Sequence, residues 1–113
     1  MHLDLNVLRG FIGDNTATQQ RILLKFAALI NNTRTTVVDA VNRGALDVVR
    51  SACHALKSSS RSVGAIGLEH LSEQLEAIGG GRAPGPIEPV LARFLEECSA
   101  VEQELAASHN EVS

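Results

Sequence analysis

His54 is the residue of this chain best placed for chemistry. Arg50, Lys57 and Arg61 lie within seven positions of it. On a helix advancing about 100° per residue, with Leu56 at the centre of the buried face, His54 falls at about 160°. Arg61, Arg50 and Lys57 fall on the same side at roughly 140°, 120° and 100°, and Ser58 lies just beyond His54. The exposed face thus presents one imidazole in a row of three cations. The chain as a whole is acidic, with 10 basic and 13 acidic residues. Like charges at this spacing repel by a few tenths of a kcal/mol per pair, so stability alone does not select them. Such a face attracts an anion or an acidic partner. It is also what an ordinary solvated helix face can look like. A histidine of ordinary pKa, about 6.5, is largely neutral near pH 7 and offers a nucleophilic lone pair.

Other chemistries fit less well. Ser58 is one turn from His54, but a hydrolytic pair needs an orienting carboxylate and an oxyanion hole, and neither is evident. Cys53 and His54 are adjacent, so they diverge by about 100° on a helix and make a poor metal pair. No C-x-x-C or H-E-x-x-H spacing occurs. Two cysteines, Cys53 and Cys98, do not make a disulfide framework and read as reduced thiols.

The elements that must position His54 are helical nearly throughout. Leu3 to Leu8 reads as a short helix ending near Gly10. Asp14 or Asn15 can cap a second helix, in which Ile22, Phe26, Leu29, Thr33, Val37 and Val41 recur at spacings of three and four. It runs to about Arg43 and Gly44, with a kink or break expected at Asn31-Asn32-Thr33, which are poor helix formers. A third helix spans about Ala45 to Val63 and stops at Gly64. Its buried face carries Ala45, Val49, Ala52, Leu56, Ser60 and Val63, flanked by Cys53 and Ser59. Ser59 and Ser60 are expected to bond back to the carbonyls four residues earlier. A fourth helix carries Leu68, Leu71, Leu75 and Ile78. Gly79 to Gly85 is a loop by composition, and Pro86 suits the first turn of a fifth helix. That helix shows Ile87, Leu91, Phe94, Cys98, Val101 and Leu105, and residues 106–113 read as a fraying tail. No run has the period of two that a strand needs. The expected fold is an all-α, antiparallel, up-down four-helix bundle with a short additional N-terminal helix, in one domain over residues 1–113 with its core at about 3–105.

Composition narrows the function. A chain of 113 residues that is 44% hydrophobic and 20% charged allows one globular domain. Its net charge of −3 and its three phenylalanines, with no Trp or Tyr, argue against a nucleic-acid binder that works by charge or base stacking. The apolar stretches are too short for a membrane span, and the N-terminus does not read as a secretory signal. A monomeric cytoplasmic protein is the simplest expectation.

The run His54-Ala55-Leu56-Lys57-Ser58-Ser59-Ser60-Arg61-Ser62-Val63-Gly64-Ala65 closely resembles the signature of histidine-containing phosphotransfer (HPt) domains. That signature is His-x-Leu-Lys, a run of small residues, and Gly-Ala about ten positions on. Ala45-Leu46-Asp47, Ala52, Phe26, Leu68-x-x-Leu71 and Leu75-Glu76 fit the same family, and the resemblance extends over about residues 3 to 105. It implies a phosphorelay carrier rather than an enzyme, taking a phosphoryl group from the aspartate of one receiver domain and passing it to another. His54 would be the phosphoacceptor, and Lys57 matches the family lysine near the phosphoryl group, where it would stabilise the phosphoryl charge. Most members have Gly after that lysine, where this chain has Ser58. Glu76 matches a polar residue that orients the active imidazole in some members. Docking would use Arg50, Ser58 and Arg61. The partners implied are receiver domains of response regulators or of a hybrid sensor histidine kinase, and the receiver would bring the Mg²⁺. This chain would bind no cofactor or metal itself. The competing reading is a helical adaptor that binds signalling partners without accepting phosphate.

Overall fold

The computed structural model describes the backbone of residues 2–112 and the side chains of residues 2–108. It contains five helices: α1 (Leu5–Ile12), α2 (Thr16–Arg43), α3 (Leu46–Ser62), α4 (Ile66–Gly79) and α5 (Glu88–Val112). No strand occurs among the described residues. Helix α3 packs on α2 and α4, and α5 closes the bundle against α4 and α2. Short turns at Gly44-Ala45 and residues 63–65 force the antiparallel, up-down arrangement of α2, α3 and α4. The bundle measures 41 × 22 × 21 Å.

Most of the apolar positions anticipated from spacing belong to one core: Phe26, Val37, Val49, Leu56, Leu68, Leu75, Phe94 and Val101 are buried, with Leu56 fully so. Ile22, Leu29, Val41, Leu71 and Leu91 are only partly buried against it, and Ile30, which the spacing did not select, is fully buried. Cys53 and Cys98 are buried as free thiols. The 28-residue α2 is continuous through Asn31-Asn32-Thr33. Thr33 is buried there, so tertiary packing of its face outweighs the weak intrinsic propensity of these residues.

Helix ends differ from the sequence reading at several points. Asp4 caps α1 by accepting from the Asn6 amide, and Gly13, not Gly10, ends it. Asn15 caps α2 by accepting from the Thr18 amide. Helix α5 starts at Glu88 rather than at Pro86, so the proline in its first turn is Pro89. It also runs to Val112, past the point where fraying is expected, in keeping with helix formers such as Glu104, Ala106 and Ala107. Ser113 lies outside the described residues. The back-bonding hydroxyls are Ser58 and Ser62, which donate to the His54 and Ser58 carbonyls. The Ser60 hydroxyl has no hydrogen-bond partner among the described residues and is fully buried, so Ser60 acts as a small core residue that lets helices approach.

Two glycines set how the helices meet. The Asp4 amide donates to the Gly64 carbonyl at 3.0 Å, tying the chain before α1 to the α3–α4 turn. Gly64 has a φ of 76°, and a Cβ there would collide with the Asp4 carbonyl oxygen. At the other end of α4, a Cβ on Gly79 would come within 2.8 Å of the Leu46 carbonyl oxygen and 3.0 Å of the Arg50 amide nitrogen. The end of α4 therefore rests directly on the first turns of α3.

Candidate functional site

His54 sits on the outward face of α3, with its side chain 63% exposed. Its Nδ1 lies 2.6 Å from Oε2 of Glu76, which projects from α4. The Glu76 residue is only 7% exposed. Its other oxygen, Oε1, accepts from the Lys57 ammonium at 2.7 Å. One carboxylate thus joins His54 and Lys57, which stand three residues apart on the neighbouring helix. The spacing places them on one side of α3, and the close seat of α4 at Gly79 brings Glu76 within reach.

The electrostatics of this trio are consistent. The hydrogen bond from Lys57 holds the Glu76 carboxyl below the ordinary glutamate range, and the His54 hydrogen bond pushes the same way against the effect of burial. Glu76 is therefore an anion near neutral pH. An ionised carboxylate can only accept, so the His54 Nδ1 carries the proton and donates it. The lone pair is left on Nε2, at the other edge of the ring.

The cations expected in one exposed row divide into two groups. Lys57 is half-buried, at 19% side-chain exposure, because Glu76 draws it inward. Arg61 is exposed, and its Nε donates to Glu69 Oε2 at 2.6 Å, which aims it along α4 and away from His54. Ser58 is exposed beside His54. Arg50 is exposed and lines a groove of about 430 Å³ together with His54, Glu76, Gly80 and Arg82. Arg82 is the residue that sequence reasoning missed. It belongs to the glycine-rich loop after α4, where periodicity gives no direction, yet its Nη2 lies 4.0 Å from Glu76 Oε2. Among the described residues, no group of three or more His, Cys, Asp or Glu side chains is arranged to hold a metal ion. Nor is any helix among them long and apolar enough to cross a membrane.

The family model for the Hpt domain matches residues 21–111. The chain belongs to the Hpt domain family. Hpt domains are histidine phosphotransfer carriers in two-component phosphorelays, where they work with receiver and kinase domains. The fold is similar to that of histidine-containing phosphotransfer protein B (HptB) from Pseudomonas aeruginosa PAO1, with a TM-score of 0.87 at 18% identity over 97% of this chain and 96% of that one. It is equally similar to the HPT domain of a sensor hybrid histidine kinase from Shewanella, with a TM-score of 0.86 at 17% identity over 99% and 97% of the two chains. No curated protein matches the sequence.

Proposed function

We propose that His54 is the phosphoacceptor of this Hpt domain and that Nε2 is the atom phosphorylated. The hydrogen bond from His54 Nδ1 to the buried Glu76 carboxylate carries this reading, because it fixes the tautomer and leaves Nε2 free on an exposed ring. The Nε2 lone pair attacks the phosphorus of an aspartyl phosphate in line. The N–P bond forms as the P–O bond to the aspartate breaks, and the electron pair leaves with the carboxylate. No proton need move. The Nδ1 proton stays in place, and the ring becomes a phosphorylated imidazolium whose positive charge faces Glu76. Reversal of these events passes the group to a second aspartate. Positioning and charge neutralisation are most of what such a transfer requires.

Lys57 serves by neutralising Glu76 and holding it at the right height beneath the ring, and its positive charge lies on the same side as the phosphoryl group. Arg50, Ser58 and Arg61, exposed on the same helix as His54, would form part of the face that a receiver domain covers, and the receiver would supply the aspartate and its Mg²⁺. The chain would meet these partners as a monomer in the cytoplasm, a compartment suited to the free thiols of Cys53 and Cys98.

The test is to incubate the chain with a phosphorylated receiver and follow acid-labile label. The wild-type chain is expected to take up label and the helical His54→Gln variant to take up none. Label persisting in His54→Gln would remove the assignment, and an unlabelled wild-type chain would leave the adaptor reading in its place.

A further inference from the structure

Lys57 is paired with Glu76 and Arg61 with Glu69, so neither is wholly free to answer the charge on an incoming phosphoryl group. The groove beside His54 holds two guanidinium groups without such commitments. Arg50 makes no ion pair and donates no side-chain hydrogen bond among the described residues, and Arg82 has only its 4.0 Å approach to Glu76 Oε2. Both converge on Gly80. The point that a Cβ on Gly80 would occupy is 2.9 Å from Arg50 Cδ and 3.6 Å from Arg82 Nε. Two arginines from different elements thus meet over a glycine, with His54 as the third wall of the groove. The carboxylate lining this groove, Glu76, already accepts from His54 and Lys57. Bringing two like charges together here is unfavourable unless an anion joins them.

Building on the assignment of His54, we infer that Arg50 and Arg82 are the phosphoryl clamp of this domain: they close on the Nε2-phosphoryl group of His54 from the α3 and loop sides of the groove. Arginine suits the task, since its planar fork can bond two phosphate oxygens at once. The bare Gly80 leaves the clamp room to close. Arg82 exchanges its loose approach to Glu76 for the phosphoryl oxygens, so the Glu76–His54 hydrogen bond survives phosphorylation. Lys57 keeps its place on Glu76 throughout. Both arginines are positioning residues for the phosphoryl group, and neither is the nucleophile.

The experiment uses phosphoramidate as a small phosphodonor, so that no receiver contact enters. Wild type, Arg50→Ala, Arg82→Ala, the double alanine variant and Arg82→Lys are phosphorylated and followed by ³¹P NMR across pH. A nearby cation favours the phosphoryl dianion, so removing it raises the pH at which the phosphohistidine takes its last proton. Each alanine variant is expected to hold that proton about two- to fivefold more tightly, as for a solvent-exposed charge pair, and the double variant more tightly than either. Arg82→Lys is expected to fall between wild type and Arg82→Ala. A double variant that labels at His54 and titrates as wild type overturns the clamp while leaving His54 as phosphoacceptor. Failure of the wild-type chain to label, or equal labelling of His54→Gln, overturns the acceptor assignment and the clamp with it.

Discussion

Glu76 on α4 binds two residues of α3 with separate oxygens, His54 through Oε2 at 2.6 Å and Lys57 through Oε1 at 2.7 Å. A carboxylate used at both ends has one orientation, and it transmits that orientation to the ring. Lys57 therefore matters to the geometry of His54 although the structure shows no contact between the two side chains.

Lys57→Ala is expected to leave the bundle folded and to slow phosphorylation of His54 about tenfold or more, since a small displacement of a reacting group is costly. Labelling kinetics beside far-ultraviolet circular dichroism would check this. A variant that labels at the wild-type rate would reduce Lys57 to a surface cation.

Acid should unfasten the same link. The Glu76 carboxyl titrates below its unfolded value, which for an ordinary glutamate is about 4.3, because Lys57 and His54 bond its anion. A group with a depressed folded pKa contributes its full stability above the unfolded value and loses it as the pH falls through the folded one. Urea midpoints of wild type and Glu76→Gln are therefore expected to differ most near neutrality and to draw together below about pH 4. A gap that stays constant from pH 7 to 3 would mean that the carboxylate charge adds nothing to the fold.

Gly79 offers a steric test. A methyl group there meets the α3 backbone at the Leu46 carbonyl and the Arg50 amide, and backbone cannot swing aside as a side-chain end can. Gly79→Ala is expected to destabilise the domain by about 1–3 kcal/mol, the usual cost of overpacking, and to impair labelling as α4 carries Glu76 away from His54. Unchanged thermal stability together with unchanged labelling would show that the two helices have slack at this point.

The helical pattern gives the outward placement of His54 because it is a statement about direction. Leu56 is fully buried, and His54, about 160° away on the wheel, faces solvent. What periodicity could not give was the far partner of each cation. Lys57 and Arg61 looked alike as exposed charges, and only the packing of α4 on α3 reveals that Glu76 draws one inward and Glu69 aims the other away. Arg82 was invisible for a related reason, since a loop of glycines has no face to assign. The ends of elements were hardest to read. Gly10 and Gly13 compete to stop α1, and Pro86 and Pro89 compete to start α5, with the outcome set by contacts beyond the local sequence.

Cys53 and His54 are neighbours along the chain, and the turn of the helix gives them opposite fates. Burial pushes the Cys53 thiol up to about 12, with Cys98 and Glu76 reinforcing it, and burial does the same for the Cys98 thiol. Sulfur is thereby kept out of any contest for an electrophile arriving at the surface. Alkylation of either sulfur marks a moment when the bundle has come apart, so the two cysteines make a built-in gauge of how often it opens.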